Sequence, residues 1–310
     1  MSPSLRTEAL AGVTTFLTMA YVVVVNPAIL ATEGTGLSFP AVMTATVVLT
    51  VAMTLLMGLY AKLPFGVAPG MGINAFFTFG IVLGQKVPWP TALGIVFWAG
   101  VIFAVVSVTG LRAAIVRAIP MNLRHALAVG IGLFLTFLGL KSAGLVVAHP
   151  VTFVTFGRLD AKVGLALAGV VIAAVLQRRK SPFAFLAAIG AVTAASLALG
   201  LAPRPTSLVS APDFSLAFEL DVLGALKPAL WPAILGILLT DLFDSLSTFV
   251  AVSQAAALVD EKGEPLRVRE GLLVDALATL GAGLLGTSSG TAYIESAAAW
   301  RRAAARDGRA

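Results

Sequence analysis

A chain of 310 residues that is 58% hydrophobic and only 12% charged lacks the polar surface that a soluble domain needs. It has no cysteine, which excludes disulfides and thiolate metal sites. The net charge of +6 is no sign of a nucleic-acid partner: Arg301, Arg302, Arg306 and Arg309, less Asp307, place +3 of it in the last ten residues.

Ala9 to Thr32, Gly34 to Ala61, Leu63 to Gln85, Val87 to Leu111 and Ser181 to Pro203 carry no charge at all. Each run reaches the ~20 residues that a helix needs to cross a bilayer. With the shorter runs flanked by Arg, Lys or acids, the pattern predicts ten membrane segments: 11–31, 41–61, 67–83, 90–111, 124–141, 163–177, 183–201, 228–257, 270–286 and 287–300. The first run is too long for the apolar stretch of a cleavable signal peptide. Residues 142–162 are expected as a long connection lying along the membrane surface.

Loop charges set the orientation. With the N-terminus inside, the inner connections hold Arg6, Lys62, Arg112, Arg117, Arg124, Arg178, Arg179, Lys180, Lys262, Arg267 and Arg269, eleven in all. The outer ones hold six: Lys86, Lys141, Arg158, Lys162, Arg204 and Lys227. The positive-inside rule then places the N-terminus in the cytoplasm and the chain in a cell (inner or plasma) membrane. The Pro- and Ser-rich stretch 204–227 reads as an external linker.

Acids at membrane depth are costly and face a cavity, take a proton or find a partner. Asp241 and Asp244 lie three residues apart on one helical face, with Thr240, Ser247 and Thr248 nearby; Asp275 and Glu295 sit in separate apolar runs. Read structurally they are polar glue between helices; read functionally they are a substrate or coupling-ion site. Two stretches, 68–80 (APGMGINAFFTFG) and 281–298 (GAGLLGTSSGTAYIESAA), break their apolar runs with Gly and Pro. Broken spans expose backbone groups, tolerated only where they line a cavity, so the third and tenth segments are expected to be discontinuous. His125 at a helix start and His149 before Pro150 read as interfacial. No HExxH, phosphate-binding loop or nucleophile elbow is present, so an enzyme is not expected, nor any cofactor or metal.

The stretches 6–30, 68–80, 107–140, 241–252 (DLFDSLSTFVAV) and 285–298 resemble the adenine/guanine/hypoxanthine permease branch of the nucleobase–ascorbate transporter superfamily. The resemblance implies an all-α polytopic fold of two inverted seven-segment repeats forming core and gate domains, with short extended strands at the broken third and tenth segments. Residues 1–203 would be the first repeat and 228–298 the first three segments of the second, which is then incomplete. It implies symport of a purine nucleobase with a proton, with Asn74, Asp244 (Asp241 as the fallback) and Glu295 holding the purine. Asp275 matches a functionally important acid. Gly72 and Ser296 stand beside the key side chains, where freed backbone groups supply further partners, and Phe76 or Phe77 could stack on the ring. Proton coupling is expected at Asp244, Glu295 and Asp275. Besides purine and proton the expected partner is the lipid bilayer, with a homodimer as candidate assembly and no nucleic acid.

The alternatives are a non-transporting membrane remnant and an anion transporter of the same fold. The second would want basic residues at the broken segments, where acids stand. The family would continue past Ala298 with Gly-Val-Glu-Ala-Gly-Gly. In GC-rich codons the loss of one G turns that continuation into Ala-Ala-Trp-Arg-Arg-Ala-Ala, the residues at 298–304. Residues 299–310 are thus expected to be out of frame, a basic tail binding anionic headgroups being the other reading.

Overall fold

Charge-free runs become helices, and a short strand stands at each of the two glycine-rich stretches. The computed structural model describes residues 5–109, 121–179, 181, 183–202, 211–261 and 265–297, so the sequence 298–310 lies outside the described residues. The chain divides into two compact units, 1–124 with 211–310, and 125–210. In the first unit the last segments return to pack with the first four.

In the first unit, α1 (Leu5–Met19) and α2 (Val22–Leu30) are separated by a break at Ala20–Tyr21. Helix α3 (Phe39–Leu56) starts with Pro40 in its first turn, where the missing N–H has no intrahelical acceptor to lose. It runs on through a π-helical turn, Met57–Ala61, to Lys62 in the left-handed region. Strand β1 (Val67–Pro69) leads into α4 (Met71–Ala75), which continues as a π-helical stretch to Val82. Helix α5 (Trp89–Thr109) completes this half.

The second unit holds α6 (Met121–Ser142), β2 (Val146–His149), β3 (Phe153–Phe156), α7 (Ala161–Arg178) and α8 (Ala184–Ala198). Helix α6 begins in the sequence of the first unit. Residues 142–162, expected as a surface connection, close into a hairpin in which Val146 pairs with Phe156 and His149 with Phe153. Asp160 caps α7 by accepting the Val163 N–H at 2.9 Å.

The chain then rejoins the first unit as α9 (Trp231–Ala255), α10 (Val268–Leu285) and β4 (Gly290–Ala292). Helices α5 and α10 pack tightly through glycine. A Cβ on Gly100 would stand 2.3 Å from the Leu280 nitrogen, and one on Gly283 2.8 Å from the Leu93 oxygen. In a bilayer such backbone approach supplies the attraction between helices that apolar burial supplies in water. Leu49, Phe77, Leu93, Phe103, Ile234 and Phe249 fill the surrounding core.

Residues 211–227, part of the expected external linker, form a strap laced to α3, α5 and α10. Leu216 is buried. The Phe218 N–H donates to Leu284 O at 2.7 Å, the Asp221 N–H to Pro90 O at 2.9 Å, and the Trp98 indole N–H to Val222 O at 2.9 Å. Among the described residues five helical spans are long and apolar enough to cross a membrane: Ala11–Leu30, Phe39–Ala61, Trp89–Thr109, Ala161–Arg178 and Pro228–Ala255.

Candidate functional site

The two broken stretches meet. Strands β1 and β4 pair antiparallel, Ala68 opposite Thr291, in the first unit. Their hydrogen bonds are related by a local two-fold: the Gly70 N–H donates to Ser289 O and the Tyr293 N–H to Gly66 O, both at 2.9 Å. Val67 and Ala292, partners in register, are each held by the helix before their own strand. Thr54 Oγ1 of α3 accepts the Val67 N–H at 3.0 Å, and Asp275 of α10 accepts the Ala292 N–H at 2.7 Å. Short strands inside an apolar unit thereby satisfy their backbone through side chains as well as through each other.

Of the predicted site residues, Asp244 and Glu295 are the more available. Asp244 is exposed on α9, Glu295 is half-buried just past β4, and their charges interact. Glu295 Oε1 accepts from Tyr21 Oη at 3.3 Å. Tyr21 stands at the break between α1 and α2, and Tyr293 donates to Pro69 O. Gly72 is half-buried in the first turn of α4, where N–H groups have no intrahelical acceptor. The two phenylalanines separate: Phe77 is fully buried, whereas Phe76 is half-buried and lies against α9 at Gly236.

The other predicted residues are committed to protein partners. Asn74 is fully buried; its Nδ2 donates to Asn26 Oδ1 at 2.6 Å, and its Oδ1 accepts from Ser288. Asn26 in turn donates to Thr46 at 2.6 Å and Thr287 at 2.9 Å, so one amide pair joins α2, α3, α4 and the turn before β4. Ser296 accepts the Gly66 N–H at 3.0 Å. Asp241 and Asp275 are fully buried: Asp241 Oδ2 accepts from Thr279 and, at 2.7 Å, from Ser289, while Asp275 accepts from Ser245.

Sequence reasoning missed Asn26, Tyr21 and the hydroxyls Ser245, Thr279 and Ser288. Asn26 did carry a signal, a lone amide inside VVVVNPAIL. A cavity of about 780 Å³ opens between α1 and α3, lined by Gly12, Phe16, Val51, Leu55 and Phe65 among others, and includes none of the predicted site residues. His149 serves the hairpin turn, its ring nitrogen within 3.0 Å of the Thr152 hydroxyl; the His125 side chain lies outside the described residues.

The sequence profile of the Permease family (Xan_ur_permease) matches residues 6–301. A putative permease of Methanocaldococcus jannaschii is 44% identical over 95% of this chain and 68% of its own length. An adenine permease of Escherichia coli K12 is 39% identical over 94% and 65%, and a guanine/hypoxanthine permease of Bacillus subtilis 38% identical over 96% and 70%. The chain thus spans about two thirds of the length of these curated relatives. In fold it is similar to the transmembrane domain of a cyanobacterial bicarbonate transporter, BicA, with a TM-score of 0.68 at 17% identity, over 96% of this chain and 77% of that one. The match over nearly the whole sequence makes this multi-pass membrane protein a member of the Permease family, in the nucleobase–ascorbate transporter branch that its motifs resemble.

Proposed function

We propose that the chain carries the substrate site of a purine nucleobase permease working by proton symport, oriented with its N-terminus in the cytoplasm of a cell membrane. The observation that carries this reading is the placement of Asp244 and Glu295, two acids with interacting charges beside the paired broken spans. A purine is a flat plate edged with N–H donors and ring-nitrogen acceptors. Carboxylates accept from the former, and first-turn backbone N–H groups near Gly72 can serve the latter. Phe76 offers a half-buried face on which the plate can stack. Relatives named adenine and guanine/hypoxanthine permeases support the substrate class.

Asn74 and Ser296 act here through their neighbours. Asn74 fixes α4 against α2 and the Ser288 turn, and Ser296 ties the residues after β4 to Gly66. In this reading the first unit is the core of an inverted-repeat transporter and residues 125–210 belong to its gate. A homodimer in the bilayer is the proposed assembly.

Uptake of radiolabelled adenine, guanine and hypoxanthine in a transport-deficient host tests the proposal. Uptake should rise with external acidity and collapse with a protonophore. Uptake that follows a sodium gradient and ignores pH would remove the proton. No uptake by the 310-residue chain, beside uptake by a longer relative, would favour a non-transporting remnant.

A further inference from the structure

Asp241 and Asp275 face each other across α9 and α10, both fully buried and with interacting charges. Among the described residues no ion pair joins a positive charge to either of them. Asp244, on the same helix as Asp241, adds a third acid to the field of both. Helices α3, α4 and α5 and strands β1 and β4, which pack against α9 or α10, carry no charged side chain. Arg269 and Glu270 stand in the first turn of α10, with Arg269 donating to Val108 O at 3.0 Å. Two carboxylates that share a dry site without a counter-charge cannot both ionise at tolerable cost.

Hydrogen bonds show where the missing positive charge belongs. Asp275 is occupied at both oxygens, by the Ala292 N–H and by Ser245. Asp241 is occupied at Oδ2 only; its Oδ1 is buried and has no hydrogen-bond partner. A path of hydroxyls joins the two acids. Ser245 Oγ, which bonds Asp275, lies 3.2 Å from Thr291 Oγ1, and Thr291 interacts with the Asp241 carboxyl.

We propose that Asp241 and Asp275 form one proton-binding unit that holds a single proton, bridged by Ser245 and Thr291, and that this unit carries the coupled proton while Asp244 and Glu295 hold the purine. The coupling role of the unit rests on the symport reading above. Ser245 follows Asp244 directly in α9, so the charge of the pair is felt at the substrate acid one residue away. The step is a proton transfer only: a carboxylate takes up H⁺ from one side of the membrane and releases it on the other, with no bond to substrate made or broken.

Infrared spectroscopy of the purified chain in lipid vesicles tests the unit directly. At neutral pH the wild type should show the carbonyl stretch of a protonated carboxylic acid. Asp241→Asn should remove that band, and Asp244→Asn and Glu295→Gln should leave it. A wild type without the band, a band untouched by Asp241→Asn, or one lost with Glu295→Gln overturns the proposal. Should Asp241→Asn fail to insert, Ser245→Ala keeps both acids and must shift the band's frequency; an unmoved band overturns the proposal equally. In uptake assays the pH profile is the readout: whatever uptake Asp241→Asn retains should lose its rise with external acidity, whereas uptake that keeps the rise would overturn the coupling role. A chain that shows the band and takes up no purine would leave the proton unit standing and remove the symport reading.

Discussion

Asp241 and Asp244 lie less than one turn apart on α9, yet they live in different chemical worlds. Asp241 is closed in by Thr279 and Ser289, and its partner Asp275 by Ser245 and a backbone N–H. Asp244 is exposed, and Glu295, half-buried beyond β4, has a tyrosine hydroxyl on it. The inner pair ties helices to strands: three of its four oxygens take donors from the protein, and only Asp241 Oδ1 has none. The outer pair leaves acceptor capacity open. Burial alone does not make an acid functional or structural; what divides these four is whether the protein has already supplied their hydrogen-bond donors.

The comparison breaks first where it is stiffest. Asp275→Ala strips the acceptor from the Ala292 N–H and from Ser245, and buried donors left unpaired should cost about 3 kcal/mol in a denaturant titration of the chain in detergent. Asn26→Ala should cost about 2 kcal/mol in the same titration, because Asn74 loses its acceptor and two threonines lose a donor. The outer pair should behave in the opposite way. Glu295→Ala should stay within about 0.5 kcal/mol of wild-type stability while purine uptake falls by at least about tenfold. A loss of stability matching that of Asp275→Ala would erase the distinction between the pairs. Tyr21→Phe removes one 3.3 Å hydrogen bond from Glu295 and should weaken purine binding only about threefold in a titration.

The smallest effect lies far from both pairs, in the strap. The Ser215 backbone N–H, the Ser215 side chain and then Ser38 hold the half-buried Asp213 carboxyl below its ordinary value of 3.8. A carboxyl lowered by folding contributes stability above its unfolded value and loses it as pH falls through its folded one. Wild type and Asp213→Asn should therefore differ at neutral pH and converge only in acid below about pH 4, read by hydrogen exchange at the Ser215 amide.

Much of this was legible in the sequence. Charge-free runs located α5 and α7 to within a few residues, because a helix in hydrocarbon has no alternative way to satisfy its backbone. The breaks at Pro69 and Gly290 were visible because Gly and Pro interrupt otherwise apolar runs. What escaped depends on long-range partners. The strap 211–227 reads as a linker by composition, and only the Leu216, Phe218 and Asp221 contacts reveal its packing. The hairpin at 146–156 has no short turn signal. A spacing of three places Asp241 and Asp244 on one face, but only the fold shows that Thr279 and Ser289 close over Asp241. Nothing around Asn74 in the sequence points to its hydrogen-bond partner Asn26, which lies 48 residues away.

The glycine contact of α5 with α10 has a consequence for how this sequence can drift over generations. At Gly100 and Gly283 a methyl group would collide with backbone, which cannot rotate out of the way as a side chain can. At Gly130, Gly132 and Gly139 in α6 nothing stands within 4 Å of an added Cβ. Two sets of identical residues in apolar helices thus face unequal selection. The first pair should stay fixed across descendants of this chain, while the second should wander among small and medium side chains, so the rate of change along the sequence is itself a map of where backbone touches backbone.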